Sequence, residues 1–451
     1  MAEGTAPATD VRLADAPVTD VSATDVPVAD VAEAEVVDVV DVVDSVGCRL
    51  CGAVLTRTFV DLGMSPPCES YLRADQLDSG ETFYPLHVRI CDNCLLVQLP
   101  AYVAADDVFS DYLYFSSYST SWVEHARRFV VDMQERLDLG AESLIVEAAS
   151  NDGYLLQHAT ALGIPVLGIE PAANIAEIAN HKGIRTESYF LGEATGTDAA
   201  SRHGKADLVV GNNVFAHVPD IVDFAKGLRA LVKDDGLVSL EFPHLLRLIE
   251  NRQYDTIYHE HYSYLTLKTA GLALEKAGLQ IVDVQELQSH GGSLRVFSTP
   301  IETAGAPTEI VGKVLQDEAD AGLHSVEGHA GFAAEVFAIK AELVTFLVEA
   351  ARSGKSVAGY GAPGKGNTLL NHCGIREDLL PYTVDRSPHK HGMYLPGTHI
   401  PIFAPERLAE TRPDYIVILP WNLRAEIVHQ LGYAREWGAK FVVPIPRLEV
   451  I

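Results

Sequence analysis

The sequence predicts an α/β protein built around a doubly wound parallel sheet, with a small metal-binding domain before it and a second, smaller α/β domain after it. Three observations carry the prediction. Short apolar runs alternate with turns and helical patterns from Leu144 to Phe242. Two Cys-x-x-Cys pairs precede that stretch. A strand, a glycine-rich loop and a helix pattern begin again at Val357.

The chain opens on an acidic segment. Residues 1–46 hold eleven acids against Arg12, so they carry −10 of the formal net charge of −28 and leave −18 to the rest. Asp10, Asp15, Asp20, Asp25 and Asp30 recur every five residues, a period that fits neither helix nor strand. A disordered tail is expected over residues 1–46. With 34 Lys+Arg against 62 Asp+Glu, the chain is poorly suited to nucleic acid or to an anionic membrane. A small anion held by a few local bases remains compatible with that balance. No basic segment leads into an apolar one, and no run of about 18 apolar residues exists. Neither a signal peptide nor a membrane span is expected, and a cytoplasmic location follows.

Cys48-x-x-Cys51 and Cys91-x-x-Cys94 are two knuckles able to supply four thiolates to a tetrahedral zinc. Four thiolates leave no open position, so the metal is expected to be structural. The gap between the pairs is longer than in a common zinc ribbon, which predicts an inserted lobe. Disulfides are the alternative, disfavoured in a reducing cytoplasm. Cys68 and Cys373 read as buried small residues.

In the middle of the chain, Leu144–Glu147 reads as a strand, Ser150-Asn151-Asp152-Gly153 as a sharp turn, and Tyr154 onward as a helix. A second strand at Val166–Ile169 ends in Glu170. In a doubly wound sheet the first turn lets backbone approach a ligand, and an acid after the second strand can bind ribose hydroxyls. The pair of features points to an adenosyl ligand. Asp207–Gly211 and Gly236–Phe242 continue the sheet, with Asn212, Asn213 and His217 following the first of them. Gln280–Leu287, a turn at His290-Gly291-Gly292 and Leu294–Ser298 predict an antiparallel hairpin. A parallel sheet closed by such a hairpin is the methyltransferase form of the Rossmann-like fold. The Gly-x-Gly-x-x-Gly fingerprint of dinucleotide enzymes is absent after the first strand.

Tyr258-His259-Glu260-His261-Tyr262-Ser263-Tyr264 lies beyond the strand ending at Phe242, where α/β sheets place ligands. Two imidazoles, a carboxylate and three phenols suit proton chemistry near neutral pH. A solvated polar loop and a His-x-His metal grip are the other readings of this heptad. Further on, Phe332–Ala351 is a long amphipathic helix pattern and Val357–Tyr360 a strand. Gly361-Ala362-Pro363-Gly364-Lys365 then opens a helix; its backbone N–H groups and Lys365 suit phosphate, although the spacing is not that of a Walker loop. Strands at Tyr382–Asp385, Tyr415–Leu419 and Phe441–Pro444 complete the second domain.

Together these residues resemble the zinc-containing, S-adenosylmethionine-dependent C-methyltransferases that build branched deoxysugars in antibiotic pathways. The resemblance covers residues 47–451. It rests on Cys48/Cys51/Cys91/Cys94, Tyr112–Ser119, Ser150–Gly153, Ala216–Asp220, Tyr258–His261, His290–Arg295, and Gly359–Gly361 with Lys365–Thr368. Ala362-Pro363-Gly364 departs from the alanine-rich form of that loop. The resemblance implies a zinc-binding domain over 47–115, a methyltransferase core over 116–300 and a C-terminal Rossmann-like nucleotide-sugar-binding domain over 301–451. It implies S-adenosylmethionine and structural Zn2+ as cofactors, and a dTDP-linked 4-keto-deoxysugar methylated at C3 as substrate. Carried over residue by residue, it places Tyr112, His217, Tyr258, Glu260 and His261 in catalysis. Phe115, Ser117, Glu147, Ser150, Asn151, Asp152, Gly153, Glu170, Asn212 and Asn213 would hold S-adenosylmethionine. His290, Gly291, Gly292, Ser293, Arg295, Lys365, Asn367, Thr368 and Lys390 would hold the nucleotide sugar.

The chemistry is coherent with that assignment. A saturated sugar has no carbon nucleophile, but a neighbouring ketone acidifies the α C–H, and a neutral imidazole can remove that proton. His261 is expected to be the base. Methylation at C5, O- or N-methylation, a dehydrogenase, and a nucleotide-sugar-binding protein without catalysis are the alternatives. The sequence leaves the oligomeric state open and is compatible with a monomer.

Overall fold

Three sheets carry the fold among the described residues. The computed structural model describes residues 46–103 and 115–451. The tail expected over residues 1–46 lies almost wholly outside them, and Tyr112 does too.

The N-terminal sheet is antiparallel, with β1 (Arg57–Ser65), β2 (Tyr84–Ile90) and β3 (Val97–Gln98) in that order. The central sheet contains β4 (Ile145–Ala148), β5 (Val166–Ile169), β6 (Thr186–Glu187), β7 (Ala206–Asn212) and β8 (Val232–Pro243), all parallel. Strand β9 (Ser263–Tyr264), the end of the aromatic heptad, leaves this domain and pairs with β3. The hairpin β10 (Leu279–Leu287) and β11 (Ser293–Pro300) closes the central sheet, in the order β10-β11-β8-β7-β4-β5-β6, with β11 antiparallel to both neighbours. This is the predicted hairpin-closed sheet. Its parallel strands are buried on both faces, which explains their continuous apolar runs.

The third sheet has the order β14-β13-β12-β15-β16-β17. Strands β12 (Val357–Tyr360), β13 (Thr383–Val384), β14 (Ile402–Phe403), β15 (Tyr415–Ile418) and β16 (Lys440–Val443) are parallel, and β17 (Glu449–Val450) is antiparallel. Chain order reverses between β12 and β15, and at such a reversal open α/β sheets bind ligands beyond the C-terminal strand ends.

The N-terminal domain shares its apolar core with its neighbours. Phe59, Val60, Leu86 and Val88 join a cluster with Phe332, Val336 and Ile339 of the long helix Phe332–Arg352; Phe59 stacks on Phe332 at 4.8 Å. The knuckle residues Cys48, Leu50, Leu55 and Leu96 instead join Phe224, Ala225 and Leu228 of the central domain. The predicted lobe between β1 and β2 is present, and Leu72 bridges to Tyr394 of the C-terminal domain. No helix among the described residues is long and apolar enough to cross a membrane.

Candidate active site

The four knuckle cysteines converge. Their sulfur atoms all lie within 4.8 Å of one another, with Cys48–Cys94 and Cys51–Cys91 each at 3.5 Å. A tetrahedron with Zn–S bonds of about 2.3 Å has edges of roughly 3.8 Å, so the set fits zinc. Each knuckle turns through a left-handed residue just after its second cysteine, Gly52 (φ 76°) and Leu95 (φ 66°). Gln98 of β3 donates to Cys48 Sγ at 3.1 Å, which ties the thiolate cluster to the strand that pairs with the heptad. Cys68 and Cys373 are buried and outside the cluster, as expected.

The turn after β4 is tightly built. Ala149, Asn151 and Gly153 have φ of 53°, 50° and 78°. A Cβ at Gly153 would lie 2.4 Å from Ile184, so this position requires glycine. Glu170 Oε2 accepts Asn151 N–H at 2.9 Å and its Oε1 accepts Ala172 N–H at 2.9 Å, fixing the turn against the end of β5. Asn151 Oδ1 accepts Ser116 N–H at 2.9 Å, and Ser117 donates to Asp152, whose other partner is Lys182 at 2.8 Å. Phe115–Ser117 are thereby drawn onto the turn. The side-chain amide of Asn212 at the end of β7, Ser150 Oγ and Asp152 Oδ1 are buried without a hydrogen-bond partner among the described residues. Their position at the strand ends, where open α/β sheets bind ligands, fits S-adenosylmethionine. Burial raises the Glu147 carboxyl well above its ordinary range, with Glu170 adding to the effect.

The heptad is buried, so the solvated-loop reading fails: His259, Glu260 and His261 are 3%, 6% and 8% exposed. His261 Nδ1 lies 2.7 Å from the Thr256 carbonyl. A carbonyl only accepts, so Nδ1 carries the proton and the neutral ring presents a lone pair at Nε2. The ring meets Tyr258 at 3.9 Å and, edge-on, His217 at 4.6 Å. Burial, with His217 beside it, holds His261 well below the usual imidazole range. Burial, with His290 nearby, lowers His217 to about 4. Both rings are therefore neutral near pH 7. Burial keeps the Tyr258 phenol protonated, well above its usual range. Cys68 of the lobe lies 3.8 Å from Glu260 Oε1 and donates to it.

The hairpin turn and the C-terminal loop close the other side. His290 (φ 52°) accepts from Asn213 Nδ2 at 3.0 Å. Gly291 and Gly292 also have positive φ, and a Cβ at Gly291 would come within 2.9 Å of Trp421 in the C-terminal domain. Ser293 bonds back to the Ser289 carbonyl. Lys365 Nζ sits 4.5 Å from the centre of the Trp421 ring and donates to Asn422 Oδ1 at 2.6 Å. Burial lowers its ammonium, and the nearby Asp255 pulls it back up. Other expected ligand residues have partners inside the protein. Arg295 is paired with Glu241 at 2.6 Å and lies over Phe129. Asn367 donates to the Cys68 carbonyl at 2.6 Å and Thr368 to the Ile257 carbonyl at 2.9 Å. Lys390 donates to Ala362 O and Tyr71 Oη at 2.7 and 2.8 Å. These three fasten the lobe and the heptad segment to the glycine-rich loop.

Several neighbours of the cleft have no local signal in the sequence. His125, Ser289 and Glu241 join Arg295 in one network that holds the hairpin turn. Asp255, fully buried, accepts from Trp421 Nε1 at 2.6 Å. Asp255 is the exception to the lack of local signal, an acid three residues before the heptad.

Comparisons with known proteins bear on the family. Three family models match: a "Putative zinc binding domain" over residues 48–109, a "Methyltransferase domain" over 122–284 and a "C-methyltransferase C-terminal domain" over 288–446. The chain is 36% identical over 414 residues to the C-methyltransferase NovU of Streptomyces niveus, covering 92% of this chain and 98% of that one. Among solved structures, an S-adenosylmethionine-dependent methyltransferase from Clostridium acetobutylicum is 12% identical, with a TM-score of 0.33 over 40% of this chain and 92% of its own. Magnesium protoporphyrin IX methyltransferase from Synechocystis is 17% identical, with a TM-score of 0.30 over 40% of this chain and 82% of its own.

Proposed function

The chain belongs to the zinc-containing, S-adenosylmethionine-dependent C-methyltransferase family, and from that premise we propose that it methylates C3 of a dTDP-linked 4-keto-deoxysugar in the biosynthesis of a branched, antibiotic-type sugar. The observation that carries this reading is the state of His261: buried, neutral, its Nδ1 proton fixed on Thr256 O, and its ring between His217 and Tyr258. Such a group takes a proton at Nε2.

The order of events follows from the residues. Lys365, at the start of the C-terminal domain's glycine-rich helix, holds the diphosphate. His261 removes the proton from the carbon beside the ketone, leaving an enolate. Tyr258, kept protonated by burial, and the neutral His217, the two rings against His261, donate to the ketone oxygen as charge develops there. Bound S-adenosylmethionine supplies an electrophilic methyl on a sulfonium. Asp152, Glu170 and Asn212 orient the donor, and the chain's own contribution to methyl transfer is alignment. In the ligand-free cleft His261 is a weak base. An anionic substrate raises it toward the working pH, because a nearby negative charge favours the protonated ring. Zinc stabilises the junction of the domains and takes no part in the chemistry.

The test uses a panel of dTDP-4-ketosugars in D2O. Deuterium should enter the carbon next to the ketone in the presence of protein, and NMR of the methylated product should show the new carbon at C3. O- or N-methylation needs no removal of the α proton, so a product with its new methyl on oxygen or nitrogen and its α C–H intact would sink the proposal. Methyl at C5 would move the site on the sugar and keep the mechanism.

A further inference from the structure

Arg49 stands between the first two knuckle cysteines, yet its side chain points away from the sulfur cluster and into the domain junction. Its Nη1 donates to the Pro219 carbonyl at 2.7 Å, two residues beyond His217. Its Nη2 donates to the Leu99 carbonyl. The guanidinium carbon lies 5.3 Å from the centre of the Tyr262 ring, in the residue that follows His261. Three segments of the chain meet here. Leu99 N–H bonds Tyr262 O at 3.0 Å, and Tyr262 N–H bonds Ala216 O at 2.8 Å. The residues beside these in sequence, His217 after Ala216 and His261 before Tyr262, carry the rings that meet at 4.6 Å. The backbone of Arg49 is itself held, its N–H donating to Gln98 Oε1 at 2.9 Å, and the Gln98 amide bonds Cys48 Sγ.

We infer that Arg49 is a positioning residue for the reaction: its guanidinium sets the separation of His217 and His261 by clamping the two segments that carry them to the metal knuckle. The inference rests on the roles given above to those two histidines. A planar fork is needed because two carbonyls and a ring face are engaged at once. A lysine ammonium, a point charge on a flexible stem, reaches one carbonyl at a time. The effect belongs in the rate and not in binding, because neither ligand crevice contains Arg49. A misplacement of about 1 Å in a reacting group costs on the order of a hundredfold.

The experiment compares Arg49→Met and Arg49→Lys with His217→Asn and His261→Asn in the full chain, following kcat, both KM values, zinc content, Tm and the isotope effect with substrate deuterated at the carbon beside the ketone. Arg49→Met is expected to lower kcat by about tenfold to a hundredfold with both KM values within about twofold, and Arg49→Lys by less. Zinc should stay at one per chain, and the isotope effect should grow as proton removal becomes limiting. A kcat for Arg49→Met within about twofold of the parent would overturn the inference. So would losses in both Arg49 variants that only track lost zinc or lowered Tm. Full activity in the two histidine variants would mean that the catalytic reading itself has failed; loss there with none in Arg49→Met would remove the role of Arg49 alone.

Discussion

The central and C-terminal sheets use the same backbone device and line it with different side chains. In the central sheet, Glu170 directly after β5 accepts Asn151 N–H from the first turn and Ala172 N–H two residues on, both at 2.9 Å. In the C-terminal sheet, Asp385 directly after β13 accepts Ala362 N–H from the glycine-rich loop at 2.7 Å and Ser387 N–H two residues on at 2.8 Å. Each acid ties the first loop of its sheet to the end of the neighbouring strand. Around the first turn of the central sheet stand Asp152, paired with Lys182, and Glu147, whose carboxyl burial raises well above its ordinary range; in the loop of the C-terminal sheet stands Lys365. Loop geometry alone does not select a ligand. The carboxyl oxygens suit the amino and hydroxyl donors of an adenosyl ligand, and the lysine suits a diphosphate.

The largest effect should come from breaking both halves together. The knuckles pack on the central domain while β1 and β2 pack on the C-terminal one, so the zinc site joins them. Cys91→Ser should lose the metal, lower Tm and weaken both ligands, since structural zinc contributes roughly 10–16 kcal/mol in small domains. Metal-free protein with unchanged melting and unchanged affinities would show that the site is not a joint. Next in size is His261→Asn, which should spare both affinities. It should slow methyl transfer and proton exchange alike by about 10²–10⁴. If the variant still exchanges the proton at the parent rate, the base lies elsewhere, with His217 the first to examine by the same assay.

A finer test separates the two sheets. Glu170→Ala should weaken S-adenosylmethionine by about tenfold to a hundredfold and leave the nucleotide sugar untouched, and Asp385→Ala should do the reverse, as expected for a charge-assisted hydrogen bond. Calorimetric titration of both ligands against both variants measures this directly. Equal losses of both ligands in either variant would end the comparison between the sheets.

Much of this architecture was legible because parallel strands announce themselves. β5 and β12 coincide with the predicted runs, and β10 and β11 with the predicted hairpin to within two residues. The knuckle spacing likewise sufficed to bring four cysteines together. What the sequence hid is what long-range pairing decides. Nothing local says that Ser263–Tyr264 will pair with β3, or that the N-terminal domain will share its core with both neighbours. Nor does local sequence reveal that Glu241 will take Arg295, or that Asn367 and Thr368 will bond carbonyls of the lobe and the heptad segment. A motif gives the residue type a site needs. Only the packed neighbours decide which of its polar atoms remain for a ligand.

The smallest effect, and the one that bears most closely on the cationic crevice, concerns Asp255. It is fully buried and accepts from Trp421 Nε1, and burial pushes its carboxyl up to about 6. The unfolded chain holds this proton only below about 3.9, so the folded state binds more protons between roughly pH 4 and pH 6. Its contribution to stability is therefore greatest at low pH and is lost as the pH rises through that window, by at most roughly 3 kcal/mol. Asp255→Asn keeps an acceptor for Trp421 and removes the titration. It also removes the acid that raises the Lys365 ammonium, so the net gain at pH 7.5 should be only about 1 kcal/mol. Melting both proteins at pH 5 and pH 7.5 checks this: the variant should gain on the parent at the higher pH, and an equal gap at both would show that Asp255 does not titrate there. The same variant should bind the nucleotide sugar more weakly, because Lys365 loses its counter-charge, while its affinity for S-adenosylmethionine should not move. A loss on the S-adenosylmethionine side instead would mean that the two crevices are coupled through Trp421 and the hairpin turn it touches.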